Sequence, residues 1–159
     1  MSAKNSADQW FAVYGESHQH HTNQFIHWIC VPLIFFCAMG FIWIIPVPDN
    51  LLERAPWFNW TLPVIAAVMA FYLRLSPMLS AGLLFYISLC YSVLAMLELI
   101  DPTLIGKLCA ALFVLAWIGQ LIGHQIEGQK PSFLHDLVFL LIGPAWLMAK
   151  IYKKLGQPY

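Results

Sequence analysis

The sequence predicts an all-α protein: an integral membrane helical bundle of about four transmembrane helices, with an N-terminal interfacial helix and a C-terminal re-entrant or interfacial helix. Three observations carry this prediction. Of 159 residues, 60% are hydrophobic and 10% charged, against roughly 25% charged in an ordinary globular domain. Mean hydropathy is +0.70. Long apolar runs alternate with short polar breaks over a length that suits one domain, 1–159. Formal net charge is zero and no basic stripe is present to track phosphates, so nucleic acid is not an expected partner.

The first element, about 6–20, contains "SADQWFAVYGE". Ser6 is placed to cap it, with Gln9 as capping-box partner. Trp10, Phe11, Val13 and Tyr14 form an aromatic stripe suited to a membrane interface. The first twenty residues hold no apolar core of a signal peptide. The first spanning segment, 25–45, reads "FIHWICVPLIFFCAMGFIWII" and ends at Pro46 and Pro48. The second, 57–73, is short, with Trp57 and Trp60 as interface anchors and Pro63 near its start. The third covers 78–97. A turn at "ELIDPT", with Asp101 before Pro102, leads to the fourth, 104–123. A spanning helix needs about 20 residues, so four crossings fit. The last run, 133–151, has Asp136 in its first turn and Gly143-Pro144 inside it. Pro144 lacks a backbone donor and favours a break or kink, hence the re-entrant or interfacial reading. Cys30, Cys37, Cys90 and Cys109 lie inside apolar runs without a C-x-x-C pair, as small buried hydrophobes do.

Four crossings is an even number. Histidines before segment one and after segment four then return to the same membrane face. An odd number would hold them about 30 Å apart. With the last run not crossing, Lys4, Arg74, Lys130, Lys150, Lys153 and Lys154 fall on the histidine side, and Arg54 and Lys107 on the other. The positive-inside rule makes the histidine side cytoplasmic, in a bacterial inner membrane or, in a eukaryote, the endoplasmic reticulum.

Four of the six histidines stand in "YGESHQHHTNQFIHW". Asn23 and His27, at i and i+4, share a helical face. His18 precedes His27 by nine residues, which would be the opposite face of one helix. A turn between them, with Thr22 or Asn23 capping the new helix, brings the two imidazoles to one corner. The second cluster is "GHQIEGQKP". His124 and Glu127, at i and i+3, share a face if the helix continues to Gly128. Imidazole binds iron, zinc and copper, and a carboxylate can complete or orient such a site. Ionisable groups at a membrane are costly and mark function. Interfacial histidines are also ordinary surface residues, Asn23 a plain cap, and Glu127 a loop charge paired with Lys130. Spacing alone leaves both readings open.

The stretch "HQHHTNQFIHWICVP" carries H-x4-N-x3-H-x4-P as His18, Asn23, His27 and Pro32. The stretch "WIGQLIGHQIEGQKPSF" carries W-x2-Q-x2-G-H-x2-E-x3-P as Trp117, Gln120, Gly123, His124, Glu127 and Pro131. Together, at opposite ends of four apolar runs, they resemble the small membrane-protein family of the fungal 2-hydroxy fatty acid dioxygenase of phytosphingosine breakdown, over about 14–150. The resemblance implies an iron(II)-dependent α-oxidation in which a 2-hydroxy fatty acid and O2 give a fatty acid one carbon shorter. It implies His18, His27 and His124 as Fe2+ ligands. Glu127 would be a fourth ligand or a hydrogen-bond acceptor that fixes a histidine tautomer, and Asn23 a supporting or substrate-binding group. Three ligands leave three positions on a six-coordinate ion, two for a hydroxy-carboxylate chelate and one for O2. Lys130 would attract the substrate carboxylate, and the acyl chain would enter laterally from the bilayer. His20, His21 and His135 fall where the family has no histidine. Competing readings are a haem electron-transfer protein with His27 and His124 as axial ligands, a di-iron desaturase for which "HQHH" is a partial motif, and a non-catalytic scaffold or transporter.

Overall fold

The computed structural model describes residues 3–130 and 138–159. Among these residues all regular structure is helical: α1 (Ala3–Glu16), α2 (His21–Trp43), α3 (Asp49–Leu52), α4 (Thr61–Leu75), α5 (Pro77–Ile100), α6 (Pro102–Glu127) and α7 (Phe139–Lys154). Helices α2, α5 and α6 are long and apolar enough to cross a membrane. Helix α4 has 15 residues and reaches about 22 Å, less than the ~30 Å hydrocarbon core. It starts later than the expected 57, because Asn59 Oδ1 takes the Thr61 N–H (2.9 Å) and hydroxyl (2.7 Å). Trp57 and Trp60 therefore precede the helix.

Helices α2, α4, α5 and α6 run alternately away from and back towards one end. At the far end Asn59 donates to the Trp43 carbonyl (3.1 Å) and Trp43 Nε1 to Glu98 (3.2 Å). At the near end Tyr72 and Leu75 of α4 and Leu79 and Leu83 of α5 pack with Ala7, Phe11 and Tyr14 of α1 and Ile142 to Leu147 of α7. Local chemistry sets the turns. Ser76 caps α5 ahead of Pro77, and Asp101 caps α6 ahead of Pro102, with Thr103 N donating to Asp101 Oδ1 at 2.8 Å. Gly128, at φ +74°, closes α6 in the left-handed conformation.

Two expected caps differ. Helix α1 begins at Ala3, so Ser6 lies inside it. Helix α2 begins at His21, four residues before the expected 25, and its cap is His20 rather than Thr22 or Asn23: the His20 Nδ1 accepts from Thr22 N at 3.1 Å. The earlier start places Asn23 and His27 in the first two turns of α2.

Helices α2 and α6 pack most closely, because small residues line the seam. A Cβ on Gly119 would lie 2.8 Å from Cys30 Sγ, one on Gly123 would fall on Asn23 Oδ1, and one on Gly40 on Cys109 Sγ. All four cysteines are buried and free. The outer surface carries large apolar side chains, such as Phe85 (76% exposed), Leu99 (88%) and Leu115 (64%), the arrangement a bilayer accepts and water does not.

Helix α7 continues through Pro144, where a break or kink was expected. One missing donor removes one bond, to the Leu140 carbonyl. Burial of Ile142 to Leu147 holds the helix together. The start of that run, with His135 and Asp136, lies outside the described residues, as does Pro131.

Candidate metal centre

His18 stands in the short linker after α1, at the corner with α2. Its Nδ1 meets the Tyr14 carbonyl at 2.5 Å. The Tyr14 ring stacks on the imidazole, with centroids 4.1 Å apart and planes at 13°. His27 lies in the second turn of α2, where its Nδ1 meets the Asn23 carbonyl at 2.9 Å. A carbonyl only accepts, so in both rings Nδ1 carries the hydrogen and donates it. Each Nε2 is left with a bare lone pair. These two Nε2 atoms face each other at 2.9 Å. Two lone pairs at that distance repel unless a cation lies between them.

His124, in the last turn of α6, completes the group. Its ring centroid is 5.1 Å from that of His18 and 5.0 Å from that of His27. Its Nδ1 is buried with no hydrogen-bond partner among the described residues. One ligand atom from each of the three histidines lies within 4.8 Å of the others. Two nitrogens bound at about 2.1 Å to one ion at a right angle are about 3.0 Å apart, so the His18–His27 spacing suits adjacent ligands. Exposure is 1% for His18, 2% for His27 and 5% for His124. Burial pushes the His18 imidazolium down from its ordinary value of 6.5 to about 4. The ring therefore stays neutral, the form that binds a metal.

Among the described residues the Glu127 carboxylate hydrogen-bonds none of the three rings. Its Oε1 accepts from Gln19 N (2.7 Å), and its Oε2 accepts from His20 N (2.9 Å) and Asn23 Nδ2 (3.0 Å). The carboxylate thus ties the linker between His18 and His27 to the end of α6, which carries His124. Asn23, fully buried, also donates to the Ser17 carbonyl at 3.2 Å. Its Oδ1 rests against Gly123, where only glycine leaves room. The expected partner Lys130 is exposed, beside a surface hollow it shares with His124.

Of the residues singled out by sequence, the structure brings together His18, His27, His124, Asn23 and Glu127. His20 and His21 point outward and are exposed, although the His20 backbone serves Glu127. Three neighbours were missed. Tyr14 sits four residues before His18, a spacing that could have flagged it. Trp146, whose ring lies 5.5 Å from His18, and Lys150, 2.7 Å from Gln24 and 3.7 Å above the Trp146 ring, come from α7 and carry no such signal. A cavity of about 40 Å³ beside His27 and His124 is lined by Tyr14, Gln120, Trp117 and Gly143.

The protein family described as 2-hydroxy-palmitic acid dioxygenase Mpo1-like matches residues 4–155. A curated relative, the 2-hydroxy-palmitic acid dioxygenase MPO1 of Saccharomyces cerevisiae, is 29% identical over 143 residues, covering 87% of this chain and 75% of the relative. No solved structure matches the chain significantly.

Proposed function

Since the chain belongs to the Mpo1-like family, we propose that it is a membrane-embedded iron(II)-dependent dioxygenase that shortens 2-hydroxy fatty acids by one carbon. The balance is RCH(OH)COOH + O2 → RCOOH + CO2 + H2O. The observation that carries the reading is the pair of hydrogen-free Nε2 atoms at 2.9 Å, with the unpartnered His124 Nδ1 beside them. His18, His27 and His124 hold the ion. Iron(II), when bound there, supplies the electrons and open coordination positions that O2 chemistry requires.

The remaining roles fall to the chain itself. The Tyr14 and Asn23 carbonyls keep the Nδ1 protons in place and the Nε2 lone pairs directed inward. Glu127 is a positioning residue that sets the distance from the linker to α6. Asn23 joins Glu127 to the Ser17 carbonyl. The apolar packing of Tyr14 and Trp146 excludes water from His18. The bias of Lys4, Arg74, Lys130, Lys150, Lys153 and Lys154 over Arg54 and Lys107 supports a site on the cytoplasmic side. A haem reading with His27 and His124 as axial ligands leaves His18 Nε2, 2.9 Å from His27 Nε2, without a role.

The test is metal analysis of detergent-purified protein, followed by incubation with iron(II), O2 and a 2-hydroxy fatty acid. Bound iron and the chain-shortened acid are expected, with iron lost in each of His18→Ala, His27→Ala and His124→Ala. Iron that survives all three changes would overturn the ligand set. Failure to shorten any 2-hydroxy acid would overturn the reaction.

A further inference from the structure

Three residues of the small cavity beside the histidines, Ile34, Trp117 and Leu140, also line a second and larger groove of about 570 Å³. This groove follows α2 as far as Ile42, with Val64 and Val68 of α4 and Phe113 of α6 among its walls. Apart from the Trp117 indole, no lining side chain can donate a hydrogen bond, and none is charged. The two spaces thus adjoin at Ile34, Trp117 and Leu140, the smaller bordered by His27, His124 and Gln120 and the larger apolar apart from the Trp117 indole.

We infer that this groove holds the hydrocarbon tail of the substrate and limits its length. The inference rests on the proposed reaction and names the part of the substrate that reaction leaves unspecified. From His27 to Ile42 is fifteen residues, about 22 Å along the helix, which accommodates an extended chain of about 16–18 carbons. A lipid tail is as apolar as the groove wall, so little hydrophobic force draws the chain in. Selection is steric: a longer chain must bend out past Ile42. Ala38 is the smallest side chain lining the groove and is exposed at the outer surface, so a larger residue there can extend over the groove without entering the core. It lies eleven residues beyond His27, about 16 Å, the length of about 12 carbons.

Two measurements on the full-length, iron-loaded protein test the groove. In the first, kcat/KM is compared for 2-hydroxy acids of ten and sixteen carbons. Ala38→Phe is expected to shift the ratio at least tenfold towards the shorter acid with iron content unchanged. Leu99→Phe, on the distant outer surface (Leu99 is 88% exposed), should leave the ratio where it was. An unshifted ratio in A38F overturns the inference. In the second, a sixteen-carbon 2-hydroxy acid with a diazirine at its terminal carbon is photolysed on the protein without O2. Cross-links at Ile42 and Val64, lost in A38F, support the groove. Cross-links elsewhere, or scattered over the outer surface, overturn it. Because labelling needs no turnover, a protein that labels at Ile42 but shortens no acid would refute the reaction and keep the groove.

Discussion

Glu127→Gln separates a residue that positions the site from one that binds the metal. The carboxylate accepts three hydrogen bonds, from Gln19 N, His20 N and Asn23 Nδ2. A glutamine keeps at most the two that converge on one oxygen. Its NH2 then faces the remaining N–H, donor against donor. Hydrogen bonds to charged groups contribute about 1.5–3 kcal/mol. Glu127 itself is only half-buried and water can serve the freed Gln19 N–H, so about 2 kcal/mol is the expected net loss. For a chain of this size that corresponds to roughly 4–8 °C in Tm. The same change loosens the linker holding His18 against α6, and loss of such a supporting contact typically weakens metal binding about 10–100-fold. The assay is iron retained against increasing chelator, read beside a thermal melt in the same detergent. E127Q should still bind iron but release it at lower chelator concentration, whereas H124A should bind none. Wild-type melting and retention would refute the positioning role. Loss of iron as complete as in H124A would make Glu127 a ligand.

Gly123→Ala places a methyl group on Asn23 Oδ1 within the α2–α6 seam, where hydrogen bonds to the Ser17 carbonyl and to Glu127 hold the Asn23 side chain in place. About 1–3 kcal/mol of destabilisation and easier loss of iron are expected from melts and chelator titration. Gly82→Ala is the contrast: its Cβ would meet Met148 Sδ at 2.7 Å and the Tyr152 hydroxyl at 2.9 Å. Both are ends of flexible side chains, so the change should lie within about 1 kcal/mol of neutral once alanine's helix preference is included. Ferrous iron at about 100 times its Kd should stabilise the protein by about 2.7 kcal/mol, and an unshifted melt would argue against a site that prefers the folded state. In iron-free protein, burial of neutral His18 gives stability that is complete above pH 6.5. This share declines as pH falls from 6.5 and levels off near 4. Melts at pH 7.5 and 5 should differ less in His18→Ala, and an equal difference would refute the contribution.

The parts of the fold and site legible in sequence were those with local or periodic causes. Asp101-Pro102 marked the start of α6 through its cap, and Gly128 marked its end through a left-handed conformation. An even count of apolar runs predicted that His18 and His27 would lie on the same membrane face as His124. Gly119 and Gly123, four residues apart, were also legible as a seam but passed unread. Other features had no local signature. The α2 cap fell to His20, a residue not favoured at such positions. Pro144 sits in an unbroken helix because burial outweighed one missing hydrogen bond. The partners of Glu127 include two backbone N–H groups, which no pattern of side chains announces.

By itself the sequence determined an all-helical, apolar chain, because hydropathy is a property of residues along one chain, and the resemblance of its two motifs to a known family nominated three histidines, an asparagine and a glutamate. Only the tertiary structure decided which nitrogens face inward and what Glu127 holds. His18 and His27 owe their tautomers to carbonyls one helical turn away. His124 and Glu127 reach them across about a hundred residues, through the close approach of α2 and α6 that Gly119 and Gly123 permit. Ligand geometry is set by where helix ends meet, and that depends on packing between segments that sequence order keeps apart.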